Sequence, residues 1–463
     1  MVVLVIFWCS STDPQLAQET ELGPQKIKQL WSQLASSELE YTTALLKLSS
    51  YPDAVLEICQ KELQPLLLDE VGFQNLIFKL GSSDTKTWTA AYEELSYRDP
   101  RLFGKVPKLM SVAQEQSAYR RLVGLLSYQT LETFQNRPNE HSRIEFKSLG
   151  EGSFEKVLFS IPGLSWAVDC RIANMTDQHR KPSWDRAMRA LVLLELAGNT
   201  NSAEWVQRMA TGHPDAAPTK RALEIADRIA MGNPSTTVTK EELQQWWHDL
   251  ANPGIQSTYA TLSFIRFPNE AIGLLKQELL PLRLSQSRLE ELYVQLASDD
   301  ASVWQAAYRE FEYFDPRLVK TVPEIMDGLS VVNEQIEHDQ QARLKKRLAA
   351  VLSGWALDEV SDPSTTYGGF VVSDAQFYHE QNRNSWTFVG AGIGSWQATE
   401  LSLIGERLRK IKPKWDRAIR ALAILDHIGS EQASDLLAKM ATGNEKAAPT
   451  RYALELLNEA DEK

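Results

Sequence analysis

The stretch "TWTAAYEELSYRDPRL" at Thr87–Leu102 returns as "VWQAAYREFEYFDPRL" at Val303–Leu318. One constant offset also maps Trp31 onto Trp247, Pro52 onto Pro268, Pro100 onto Pro316 and Pro107 onto Pro323. A slightly longer offset maps "WDRAMRAL" at Trp184 onto "WDRAIRAL" at Trp415, "MATG" at Met209 onto Met440, and "APT" at Ala217 onto Ala448. The chain is therefore a tandem duplication, with about 15 extra residues in the middle of the second copy. This limits the fold severely, because whatever one copy folds into the other must fold into as well.

Within a copy the pattern is mostly helical. Trp304, Ala307, Tyr308 and Phe311 fall on one helix face, and Ala307 between aromatics allows a close neighbour. Asp299 or Asp300 caps the start of that helix, and Pro316 prevents it from running on. "KTVPEIMDGL" starts another helix, with Pro323 in its first turn. In "KWDRAIRALAILDHIG", Trp415, Ile419, Leu422 and Leu425 share a face and Gly429 is placed to end the helix. A shorter helix closed by Gly443 and a third in "APTRYALELLNEADEK" follow. This succession of helices and short turns is the pattern of an α-solenoid, whose pairs need neighbours to bury their faces.

The middle of each copy changes period. "RIEFKSL", "EKVLFSI" and "WAVDCRI" each alternate, with turn-rich "GEGS" and "PGLS" between them. The second copy has "GFVVSDAQFYHE", "NSWTFVGAGIG" and "SWQATELSLIG" in the same place. The expected fold is mainly α: two tandem α-solenoid modules, each with a small three-stranded antiparallel β-meander insertion. The expected order is an apolar start and polar linker over 1–22, a first module over 23–231 (β insertion about 142–174), a linker over 232–239, and a second module over 240–463 (β insertion about 368–405). Thr239 and Glu242 supply a capping box at the start of the second module.

The helical segments carry a resemblance. "LASDDASVWQAAYREFEYFDPRL" resembles a HEAT-type repeat, whose first helix often reads D-x-x-x-V-R-x-x-A-x-x-x-L. "LWSQLAS" from Leu30 and "RALAILDHIGSEQASDLLAKMATG" from Arg420 are similar to a HEAT-like module found beside WD-repeat propellers in some bacterial proteins. The resemblance covers about three quarters of the chain and excludes the expected meanders. It implies scaffolding or protein binding and carries over no catalytic residue.

Composition narrows the function. A net charge of −12 argues against a nucleic-acid binder and against docking on anionic lipid. Cys9, Cys59 and Cys170 stand far apart, so neither a zinc site nor a disulfide framework is indicated. Val2–Trp8 is an apolar run too short to cross a bilayer, and no other stretch suits an integral membrane span. With Cys9 behind it, the run has a signal-like or lipoprotein-like cast, but it lacks a basic start and small residues before the cysteine. Localisation is left open between cytoplasmic and exported.

Several motifs have a simpler reading than the one they invite. "LGEGSFEKV" at Leu149–Val157 looks like a kinase glycine loop, yet Glu155 replaces its third glycine and no H-R-D or D-F-G follows. "TFVGAGIGS" at Thr387–Ser395 lacks the helix and second strand of a dinucleotide fingerprint. No histidine forms H-E-x-x-H, so no metal site or cofactor is expected. In the "WDRA" boxes, Ser183 is expected to cap, Asp185 and Asp416 to favour the helix dipole, and Arg186 and Arg417 to bridge neighbouring repeats. Trp88, Trp184, Trp304 and Trp415 are expected in the core. Trp386, Trp396, Phe377, Tyr378 and Trp166 are the candidate exposed aromatic surface for a ligand or partner.

The reading that results is a non-catalytic scaffold or protein-interaction module with an unidentified protein partner. The alternative is a small-molecule or glycan-binding regulatory protein that uses the β-meander insertions. Catalysis comes third.

Overall fold

The computed structural model describes residues 23–36, 39–102, 113, 115–126, 131–136, 181–231, 237–252, 254–320, 325, 337–352, 357–361 and 413–461, with the backbone of 144–148, 155–161, 164–169, 385–388 and 399–402. The chain divides into two compact units: Met1–Ser36 with Ser50–Glu224, and Ser37–Ser49 with Ile225–Lys463.

The local rules that start and stop helices are visible along the whole described chain. Asp69, Asp84, Asn199, Thr239, Ser285, Asp300 and Ser430 each accept a backbone N–H at a helix start. The Thr239–Glu242 capping box forms, with bonds of 2.8 and 3.2 Å. Pro52, Pro182 and Pro268 occupy first turns, where no intrahelical partner is lost. The helices Pro182–Ala197 and Pro413–Ile428 stop at Gly198 and Gly429, both at φ +63°, a conformation costly for other residues. Ser183 does not cap: Lys181 holds the N-cap position and Pro182 follows it, so the helix begins two residues earlier than the Ser183 reading requires.

In the first unit, helix Glu70–Gly81 packs between Thr85–Arg98 and Gln116–Leu126, and Pro52–Glu62 packs on Pro182–Ala197 and Thr200–Met209. Phe73, Leu76, Leu80, Trp88, Tyr92 and Leu122 form the core of the first group. In the second unit, Gln286–Ala297 packs on Ala301–Tyr313 and His338–Leu352, burying Leu292, Trp304, Tyr308, Phe311 and Leu344. Trp88 and Tyr92 meet edge to face at 6.5 Å, as Trp304 and Tyr308 do at 6.4 Å. Arg121 lies 4.2 Å over Trp88 and reaches the carbonyls of Leu80 and Ser82; Arg347 lies 4.2 Å over Trp304 and reaches those of Leu296 and Ser298. Many packed helices of this kind are compatible with an α-solenoid.

One helix does not stay with its own copy. Glu40–Ser49 belongs by sequence to the first copy, yet it packs with Ile255–Arg266 and Pro413–Ile428 of the second unit, and Leu46 joins that unit's core. Tyr41 Oη and Ser257 Oγ hydrogen-bond at 2.6 Å, and the residues stand 216 apart, the offset that relates Trp88 to Trp304.

The fold class needs a correction. The part of the chain described with its side chains is 79% helical and contains no strand, so the three-stranded meander expected at 142–174 and 368–405 is not seen as part of the fold. Outside that part, backbone pairing joins Glu155–Ile161 to Ile144–Ser148 on one side and Leu164–Asp169 on the other, and in the second copy, among the described residues, it joins Ser385–Phe388 to Thr399–Ser402. Alternating short runs record a local preference for extended backbone. A sheet becomes part of a fold only when one face packs on something else, and these strands have their extensive contacts with one another.

Candidate functional site

The repeated "DPRL" forms a buried grip rather than a reactive group. Helix Thr85–Arg98 ends at Asp99, whose φ of 52° turns the chain sharply. Arg101 then folds back onto Asp99: Nε donates to Oδ1 at 2.9 Å, Nη2 to Oδ2 at 2.7 Å, and the Arg101 backbone N–H to Oδ1 at 3.0 Å. Arg317 holds Asp315 in the same way. In the first copy Lys181 adds a second cation, pairing with Asp99 and donating to the Ser96 carbonyl at 3.0 Å. Burial would raise the Asp99 carboxyl, but Lys181 and Arg101 outweigh it and hold it at about 2. Burial pushes the Lys181 ammonium down to about 8, against the pull of Asp99.

Beside this grip, in the first unit, opens a cavity of about 750 Å³ whose lining includes Glu62, Glu93, Ser96, Lys181, Ser183 and Arg186. That volume is in the range of small-ligand sites. Arg186 lies 5.4 Å over the Trp31 ring, and its buried Nε has no hydrogen-bond partner among the described residues. Burial lowers the Arg186 pKa, opposed by Glu62 and Tyr97. Tyr97 is fixed by donating to the Gln64 carbonyl at 2.9 Å, and Trp184 Nε1 donates to the Tyr97 carbonyl at 2.6 Å.

The second copy repeats the frame. Arg417 lies 4.2 Å over Trp247, its Nε likewise unpartnered among the described residues, with Glu278 and Tyr313 nearby. Tyr313 donates to the Leu280 carbonyl at 2.7 Å, and Trp415 Nε1 to the Tyr313 carbonyl at 2.7 Å. Among the differences, two residues stand out. Where the first copy has Ser96 and Ser183, the second has Glu312 and Lys414, joined at 2.7 Å. Lys414 also donates to the Arg309 carbonyl at 2.8 Å, and Glu312 acts electrostatically on Arg417.

A second feature is an outward face. Helix Glu70–Gly81 buries Phe73, Leu76, Ile77 and Leu80 but exposes Val71 at 67% and Phe78 at 80%, with Leu67 just before it at 54%. The second copy has Arg283, Ser287 and Val294 at these positions, so the apolar stripe is largely confined to the first copy.

Of the residues singled out from sequence, Trp88, Trp184, Trp304 and Trp415 are buried. The side chains of Trp166, Trp386, Trp396, Phe377 and Tyr378, and the residues of 1–22, lie outside the described residues. Arg186 and Arg417 lie over the rings of Trp31 and Trp247, which belong to other helices. The Asp99–Arg101 grip escaped sequence reasoning, although an Asp and an Arg two apart in both copies was a usable signal. Among the described residues no cluster of His, Cys, Asp or Glu could hold a metal ion, and no helix is long and apolar enough to cross a membrane. No known family, curated protein or solved structure matches the chain.

Proposed function

We propose that the chain is a non-catalytic interaction module built from duplicated HEAT-like repeats, and that it binds a partner protein through the outward face of helix Glu70–Gly81. The observation that carries this reading is the exposed pair Val71 and Phe78 on a helix whose opposite face packs in the core, with exposed Leu67 just before it. Large exposed aromatics grouped with aliphatics on a rigid helix are the usual anchors of protein interfaces. The polar serine and arginine at the matching positions of the second copy support a role peculiar to the first.

The test is co-purification of the tagged full chain from its native cells, compared with a variant carrying Leu67→Ser, Val71→Ser and Phe78→Ser. A protein enriched with the wild type and lost with the variant, at an unchanged melting temperature, supports the reading. Enrichment unaffected by the three substitutions, or no enriched protein, overturns it. The second reading, a small-molecule-binding regulatory protein, draws on a different observation: the charged cavity beside Arg186.

A further inference from the structure

The geometry points to a binding site at the first-copy cavity for a small zwitterion, a molecule carrying one carboxylate and one primary ammonium. The argument comes from comparing the two copies. Both hold an arginine over a tryptophan ring, Arg186 at 5.4 Å from the Trp31 centroid and Arg417 at 4.2 Å from that of Trp247, and both leave its Nε without an acceptor among the described residues. A guanidinium with an unbonded N–H takes an acceptor in its own plane, and a carboxylate fits that fork with two parallel bonds. A buried donor left unbonded is costly, so a ligand acceptor there gains more than one at an exposed arginine.

The second copy shows what kind of groups the space takes. The Lys414 ammonium binds both the Glu312 carboxylate and the Arg309 carbonyl, Glu312 also accepts from the Leu357 backbone N–H at 3.1 Å, and its charge, after that of Glu278, favours the Arg417 cation. An acid and a base from the chain itself occupy the place. In the first copy the matching residues are Ser96 and Ser183, too short to form that pair, and both line the cavity. Arg309 is matched by Glu93, which with Glu94 also lines the cavity and adds negative charge where the ammonium of Lys414 would stand. The first copy thus offers a cation to a carboxylate and an acidic wall to an ammonium. The missing pair of groups is supplied by the ligand. This inference does not rest on the partner-protein reading, because none of Leu67, Val71 and Phe78 lines the cavity.

The test is isothermal titration calorimetry of the intact chain with ω-amino acids from β-alanine to ε-aminocaproate, against caproate and hexylamine as singly charged controls. We expect saturable binding of one member of the series, one site per chain, at least tenfold tighter than either control. Ser96→Glu with Ser183→Lys, which copies the second-copy ion pair, abolishes binding while the melting temperature holds. Arg186→Met weakens binding more than tenfold. No saturable binding by any member of the series, equal binding by a singly charged control, or binding that survives the Ser96→Glu, Ser183→Lys change overturns the assignment.

Discussion

Arg317 grips Asp315 with Nε and Nη2 on separate carboxylate oxygens, at 2.9 and 2.6 Å, and both side chains are almost wholly shielded from water. Removing one partner of such a pair leaves a charge buried without compensation, which costs about 3–5 kcal/mol. Arg317→Met is therefore expected to lower the unfolding free energy by about that amount. Arg317→Lys recovers little of it, because a point ammonium cannot reproduce the two-bond fork. Urea unfolding followed by tryptophan fluorescence measures both; equal stability of wild type and Arg317→Met contradicts the account.

Lys181 gives a pH signature with a definite sign. Its folded pKa of about 8 lies below the ordinary value of 10.5. Between those values the unfolded chain binds a proton that the folded chain does not, so this group's contribution to stability rises with pH across that window. Asp99, held at about 2 against an ordinary 3.8, contributes stability that is present above 3.8 and is lost as pH falls toward 2. The expected result is that wild type gains stability relative to Lys181→Met as pH climbs from about 8 to 10.5. A difference between the two proteins that stays flat over that range refutes the assignment.

Two glycines are expected to respond oppositely to alanine. A Cβ on Gly443 would stand 2.3 Å from Thr450 Oγ1 and 3.0 Å from the Leu282 backbone nitrogen, so something must move. Gly443→Ala should cost about 1–3 kcal/mol, the usual range for forced overpacking. Gly273, within helix Pro268–Glu278, has open space around it. Gly273→Ala should stabilise by about 0.5–1 kcal/mol, because glycine in a helix gives up more freedom on folding. Thermal melts of the two variants side by side check both signs.

Cys59 should be chemically silent in the folded protein. It is fully buried in helix Pro52–Glu62, and burial pushes its thiol well above the usual cysteine range. Thiolate is the reactive form, so alkylation by iodoacetamide is suppressed twice over, by access and by protonation. Peptide mapping by mass spectrometry should find Cys59 unlabelled in native buffer and labelled in denaturant. Equal labelling in both conditions counts against the burial described.

The parts of this fold that sequence reveals are those that local chemistry writes down. Trp304, Ala307, Tyr308 and Phe311 mark a helix face because periodicity needs no knowledge of the partner, and Gly429 marks a stop because few residues tolerate its conformation. The Arg186 cavity needed tertiary information. Trp31, Glu62, Tyr97 and Arg186 come from four separated segments, and nothing in "WDRA" says that its arginine faces a tryptophan upstream. Arg121 and Arg347 were hidden for another reason: they fall between the two offsets that align the copies, so only their shared hold on Trp88 and Trp304 identifies them as counterparts. The meanders failed as an expectation because alternation describes a strand's two sides without saying whether anything covers either one.

The bond between Tyr41 and Ser257 joins a position to its own duplicate. Two identical chains meeting at such a point must present the same residue from both sides, two tyrosines or two serines. One is crowded and the other leaves a gap. Carrying both versions on a single polypeptide lifts that restriction: a long hydroxyl reaches into the room left by a short one, a fit that a symmetric pair of separate molecules has no way to make.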